Sequence, residues 1–354
     1  MRKSRFIWEQ ITEEPDIYKV TEVGSRQNCY FVASKGEALL IDPRSADMLR
    51  SILRLSRAFD ITEGKNRVFF TGIADRNIYN ALRSQLPKAT VYSMVIPQYT
   101  DELPEDSGEE LGGGQACGEE LNGAQAGGAQ AGDGAQAGDG TQTGDGTQTG
   151  EGEINATQVR DGDVIRVGDQ SLRCISAEGS RRGQMALLIP EKGILFAGGA
   201  IGCDYVPDVE IWDEKIDALG LQIETLRRFK QLRVRCILPG YGASASCASA
   251  AEVIDKMLAQ YAIQILEVYQ KVPAFGSIAE EDLLKRQCGE RAPEGAGVRG
   301  ADVRDAGPSD TGRCGIESCL RYLLYRKYIR RKEGEPSHFE YRRGSMNLTD
   351  WELM

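Results

Sequence analysis

The chain has 354 residues, 41% of them apolar, enough for one large or two ordinary domains with a sizeable core. The net charge of −10 is local: residues 101–153 hold thirteen Asp or Glu and no Lys or Arg, so the rest of the chain is slightly positive. No run of eighteen apolar residues exists, which excludes a membrane-spanning helix, and nine scattered cysteines without a Cys-x-x-Cys pair give no zinc knuckle or redox motif.

The start, MRKSRFIWEQ, is basic but has no apolar stretch of signal-peptide type. With buried, reduced cysteines, the expected location is cytoplasmic. Residues 6–12 and 17–23 alternate as strands. Residues 28–33 and 38–42 read as a hairpin around Lys35-Gly36. Met48, Ile52, Leu55 and Phe59 have helical spacing and predict a helix over 47–59. Residues 67–71 (RVFFT) are a buried strand, 78–86 a helix and 90–94 a strand.

Residues 101–153 differ in kind. They hold sixteen of the 41 glycines, no aromatic residue and a repeat of about six residues, GDGAQA, GDGTQT, GDGTQT. Such a composition cannot offset the entropy of ordering, so a disordered acidic insert is expected. The nonapeptide spacing of a calcium-binding β-roll is missing.

Residues 161–204 organise the chain. Asp161-Gly162-Asp163 is a turn, and 164–167 a strand that Gly168-Asp169 turns back. Further strands are read at 172–175, 185–189 and 194–197, separated by a polar loop, 177–183, and a Pro-Glu-Lys-Gly turn. Short strands punctuated this way indicate an antiparallel sheet. Residues 211–232 read as an amphipathic helix and 235–239 as a buried strand ending in Gly240-Tyr241-Gly242. Ser249 with Glu252, and Ser277 with Glu280, make capping boxes for helices to about 272 and over 278–287. Residues 288–313 form a second polar, glycine-rich insert, 317–332 a helix and 338–341 a strand.

The order of motifs resembles a metallo-β-lactamase-fold hydrolase. Its second half runs D-G-D-x-I-x-V-G, a strand, P-G-H-T-x-G-S, L-x-x-P-E and L-F-x-G-D, and residues 161–204 match the glycines, turns and apolar positions. The hairpin ending in L-I-D matches the family's N-terminal hairpin. The resemblance covers roughly 7–100 and 158–242. It implies an α/β fold, an αβ/βα four-layer sandwich, at 1–242, interrupted by the insert 101–153. A helical subdomain at 243–345, interrupted by 288–313, resembles the winged-helix-like tail of many members.

The family's metal ligands do not carry over. The T-H-x-H-x-D-H, P-G-H, G-D and P-G-H-G positions fall on Gly72, Ala74, Arg76, Asn77, Ser180, Gly199 and Tyr241. A one-residue gap keeps Asp75 as the family aspartate but restores no histidine. The chain has a single histidine, His338. A two-metal centre needs ligands holding cations about 3.5–4 Å apart around a water. Glycine and alanine offer no side-chain donor, Asn and Ser are feeble zinc ligands, and an arginine repels a cation. No cofactor is therefore expected. An all-carboxylate site through Asp42, Asp75 or Asp204 is the competing reading, against turn and cap roles for these aspartates. Cys203 as a nucleophile competes with a buried inert thiol; no histidine base lies near it in sequence.

Arg76, Arg181 and Arg182 would converge on the cleft mouth, where they would take a small anion such as a phosphate ester or carboxylate; the bland reading is loop arginines paired with Asp75 and Glu178. The stretch 321–343, bounded by Arg321 and Arg343, has eight Lys or Arg among four tyrosines and one phenylalanine. That fits nucleic-acid contact or, more blandly, a solvated basic face. The preferred function is a non-catalytic protein of this fold that binds a ligand or scaffolds. The alternatives are a hydrolase of an ester or phosphoester with an atypical site, and a nucleic-acid-associated regulator.

Overall fold

Alternation along the strands builds two sheets that share one apolar interior. A computed structural model describes residues 5–95, 155–213, 215–244, 250–273, 276–283 and 312–342. The first sheet has seven strands in chain order: β1 (Phe6–Glu13), β2 (Asp16–Glu22), β3 (Asn28–Ser34), β4 (Glu37–Ile41), β5 (Asn66–Phe69), β6 (Thr90–Ser93) and β7 (Asn155–Gln158). The first four pair antiparallel, and β4 to β7 pair parallel. The second sheet holds β8 (Val164–Val167), β9 (Gln170–Ser176), β10 (Met185–Ile189), β11 (Ile194–Gly198) and β12 (Cys236–Pro239), in the order β12-β11-β10-β9-β8. Strands β8 to β11 pair antiparallel, as the turns predict, and β12 joins β11 in parallel.

A strand presents alternate residues to opposite faces, and here both faces are buried. Met185, Leu187 and Ile189 of β10 meet Ile194 and Phe196 of β11 and Tyr30, Val32, Leu39 and Phe69 of the first sheet. The intervening Ala186, Leu188, Leu195 and Ala197 face the other way, onto helices. Those helices are α3 (Ala218–Gln231), α4 (Ala250–Lys271) and α5 (Gly312–Tyr325). Across the molecule, α1 (Ala46–Ala58) and α2 (Arg76–Gln85) cover the first sheet. Phe31 of β3 packs on Phe59, and Phe70 on Tyr79 of α2. The result is the expected α/β sandwich of four layers.

The tail packs into the outer layer. Met257, Tyr261 and Ile265 of α4 and Ile316, Leu320 and Leu323 of α5 share one core with Leu188 and Leu195 of the second sheet. A third sheet, β13 (Ser277–Ala279), β14 (Ile329–Lys332) and β15 (Glu335–Tyr341), has the order β13-β15-β14.

Three predicted elements differ. The helix expected over 211–232 starts only at Ala218, because the Asp217 carboxylate accepts from the Gly220 amide and caps it there. Ser277 is not a cap but the first residue of β13, paired with Glu340; the helix expected over 278–287 begins at Glu280, and its residues 284–287 lie outside the described residues. The helix expected over 317–332 begins earlier and ends at Tyr325; Lys327 takes a φ of 63°, and the chain turns into β14. Strand β7 was not anticipated. The insert 101–153, Ser249, and 288–311 of the second insert lie outside the described residues. None of the described helices is long and apolar enough to cross a membrane.

Candidate functional site

The ends of β4, β5, β11 and β12 meet on one side of the sandwich. The Asp42 amide donates to the Phe69 carbonyl (2.9 Å), and the Gly240 amide to the Gly198 carbonyl (2.6 Å). The Met185 amide donates to the Thr71 carbonyl across the sheets, at 2.7 Å. Asp42 is buried with φ 54°, and its carboxylate accepts from the Thr71 amide (2.8 Å) and hydroxyl (2.6 Å). Gly198 has φ 55°, and a Cβ there would lie 2.3 Å from Thr71 Oγ1. Gly198 therefore has no room for a side chain beside Thr71, and a Cβ at Gly240 would lie 3.1 Å from the Gly198 backbone.

Beside this floor lies a buried polar network. Gln184 and Gln222 are 3% and 0% exposed. The Gln184 amide is oriented so that its nitrogen donates to Ser180 Oγ and its oxygen accepts from the Gly199 and Ala200 amides, both at 2.7 Å. The opposite orientation would set oxygen against acceptors and nitrogen against donors. Ser180 Oγ then donates to the Gly199 carbonyl at 3.3 Å. Gln222 accepts from the Ser180 amide (2.9 Å) and donates to the Ala200 carbonyl (2.8 Å). Each buried amide thus pairs its own polar atoms with buried backbone groups.

Charged groups at the mouth are matched in sign. Arg44 donates to Asp42 at 3.1 Å and lies 5.8 Å from the centre of the Tyr241 ring. Burial opposes the Arg44 charge, but Asp42 and Tyr241 outweigh it and raise the pKa of the guanidinium. Arg26 pairs with Asp204 beside Gly242. Burial raises the Asp208 carboxyl, and Arg181 opposes the rise. Burial, then Tyr241, push Tyr205 up to about 12, against Arg181. Asn28 Nδ2 donates to the Pro239 and Gly242 carbonyls, both at 2.9 Å, and Tyr30 to Pro239 at 2.6 Å, which fixes the loop bearing Tyr241.

Of the seven ligand positions, Ser180 and Gly199 touch directly. Gly72 follows Thr71, which packs on Gly198, and Tyr241 follows Gly240, which packs on Gly198 too. Ala74 is buried beneath the start of α2, where Asp75 is the N-cap, Arg76 the first helical residue and Asn77 exposed. Arg181 and Arg182 are exposed on the loop after Ser180. Asp42, Asp75 and Asp204 are engaged by Thr71, the Ile78 amide and Arg26 respectively. Cys203 is half-buried, and His338 lies in the tail sheet, 3.3 Å from Glu335. Among the described residues, no group of three or more His, Cys, Asp or Glu side chains is placed to hold a metal ion. The two cations that the fold family implies do not fit this donor set: the positions supply no imidazole and no carboxylate.

Sequence reasoning did not single out Gln184, Gln222 or Arg44. Gln184 carried the one usable signal: a glutamine that opens an otherwise apolar run, QMALLI, between a glycine turn and a buried strand.

No protein-family model and no curated protein matches the chain. Solved structures do. A metallo-β-lactamase family protein from Thermus thermophilus is 15% identical, with a TM-score of 0.55, over 95% of this chain and 98% of that one. A β-lactamase domain protein from Burkholderia ambifaria is 12% identical, with a TM-score of 0.58, over 94% of both chains. With two face-packed sheets, helices outside both and strand ends converging on one cleft, the chain has the metallo-β-lactamase fold.

Proposed function

We propose that this chain is a non-catalytic protein on a hydrolase fold, and that it works by binding a ligand or scaffolding a partner. One observation carries the reading. The Gln184 amide ties Ser180 to the Gly199 and Ala200 amides, so the polar groups at two former ligand positions are turned on one another instead of toward a cation or substrate. The test is metal content by plasma mass spectrometry on protein purified from zinc- and iron-supplemented cells, with an ester and phosphoester hydrolysis panel beside it. Substoichiometric metal and no turnover above buffer are expected. Two equivalents surviving dialysis, or turnover that copurifies with the chain, would favour a hydrolase with an atypical site and end this proposal.

For the ligand we propose a small anion at Arg76, Arg181 and Arg182, a reading supported by the exposure of Arg181 and Arg182 on the loop after Ser180. Calorimetric titration with inorganic phosphate checks it; heats unchanged in R181A/R182A would exclude these residues. A nucleic-acid role has less support. Arg321, Arg326, Arg330 and Lys332 pair with Glu317, Glu224, Glu340 and Glu335 at 2.8–3.3 Å. The order of the tail, helix α4, strand β13, helix α5 and the hairpin β14-β15, supports a winged-helix reading of its architecture. Cys29, Cys174, Cys203, Cys236 and Cys319 are free thiols, which supports a reducing, cytoplasmic setting.

A further inference from the structure

We propose that the space between the loop after β11 and helix α4 is a binding site for a small carboxylate with one ring or branched chain. Loop residues 202–206 and the first turns of α4 bound a cavity of about 200 Å³. An apolar cavity of about 150 Å³ is enough for a benzene ring, and sites for drug-sized ligands begin near about 300 Å³. The space therefore fits one small apolar body with a polar head, and excludes a nucleotide or a lipid. Among the described residues, neither Thr71, Gly198 and Gly240 of the cleft floor nor Arg76, Arg181 and Arg182 line it.

The fold fixes both walls. Gly202 lets the loop double back: a Cβ there would lie 2.5 Å from the Tyr205 carbonyl oxygen and 2.6 Å from its ring. The Tyr261 hydroxyl donates to the Pro207 carbonyl at 2.6 Å, which ties the end of the loop to α4. On the helix, Val253, Lys256, Met257 and Gln260 stand at i, i+3, i+4 and i+7, so they share the face that lines the cavity.

Side-chain chemistry selects the ligand. Val206 and Val253 are half-buried and Met257 is buried, and together they offer apolar surface to a ring or branched chain. Lys256 supplies the charge. Two anions stand close by, and both are taken: Asp204 by Arg26, and Asp255 by Lys230 at 2.6 Å. Among the described residues no ion pair reaches Lys256, that with Glu252 one turn earlier included. Its ammonium is thus left for an anionic head, and one point charge matches a carboxylate monoanion better than a phosphate dianion. Cys203, half-buried, lines the same space, so its thiol reports occupancy.

Titration of the whole chain with benzoate, followed by ligand-observed NMR, tests this, with benzamide as the neutral isostere. Saturable binding of both is expected, benzoate the tighter. K256M weakens benzoate about fivefold and leaves benzamide unchanged. V206W, which fills the cavity, removes both. R181A/R182A leaves benzoate binding unchanged, so the phosphate reading at those arginines can fail without this one. Alkylation by iodoacetamide with peptide mapping needs no variant: benzoate slows labelling of Cys203 and leaves that of half-buried Cys236 unchanged. No saturable binding of benzoate, benzoate binding indifferent to K256M, or Cys203 labelling indifferent to benzoate overturns the proposal.

Discussion

Ser180 Oγ lies 3.3 Å from the carbonyl oxygen of Gly199, and a hydrogen bond joins them. These are two of the positions at which the metallo-β-lactamase hydrolases place a histidine and the bridging aspartate. Where a cation would draw both side chains toward itself, a hydroxyl here closes onto the backbone of the other strand end.

Gln184 completes that closure, and Gln184→Leu should expose its worth. Leucine fills similar space but leaves the Gly199 amide unpaired, while the Ala200 amide keeps the Ala197 carbonyl and the Ser180 hydroxyl keeps the Gly199 carbonyl. An unpaired buried polar group costs about 1–3 kcal/mol, so a loss of about 2 kcal/mol in urea unfolding is expected, against a few tenths for an exposed site such as Gln231. A loss under about 0.5 kcal/mol would mean the amide does not bridge these groups.

The sheets were legible because apolar alternation and turn chemistry agree along 161–204, where four strands lie where the turns put them. The cleft was legible only in outline. The family resemblance located Gly72, Ser180, Gly199 and Tyr241 at or beside strand ends, but nothing in one dimension says that Gln184 turns back on Ser180 or that Arg44 lies over Tyr241. Such contacts join residues brought close only by the crossing of two sheets. The failures at Ser277 and beyond Tyr325 have one cause. Local capping and helical spacing were read without the tail sheet, whose pairing of Ser277 with Glu340 and Ile329 with Tyr341 overrides them.

Glu37 makes the sandwich sensitive to acid. The Gly168 amide, then Lys65 and Arg67, hold its carboxyl down at about 2. A carboxylate whose pKa falls on folding contributes stability that is complete above its unfolded value near 4.3 and is lost as pH falls toward 2. Glu37→Gln should therefore cost stability at pH 7 and progressively less between pH 4.5 and 2. Denaturation series of both proteins across that range check it; a constant difference would place the contribution in packing, not charge.

Two glycines of the same cleft should respond oppositely to a single methyl group. At Gly198 the backbone is left-handed, φ 55°, and an added Cβ would stand 2.3 Å from Thr71 Oγ1 and 2.6 Å from its Cβ. Thr71 cannot yield, because its amide and hydroxyl are both held by Asp42. Gly198→Ala therefore combines a strained φ with a clash at the floor, and a loss of about 3 kcal/mol or more is expected. At Gly72, whose φ lies outside the left-handed region, an added Cβ meets nothing within 4 Å. Gly72→Ala restricts only the unfolded chain, so no loss, or a gain of about 0.5 kcal/mol, is expected. Equal losses at both positions would contradict the close approach of β5 and β11 on which the geometry of the cleft depends.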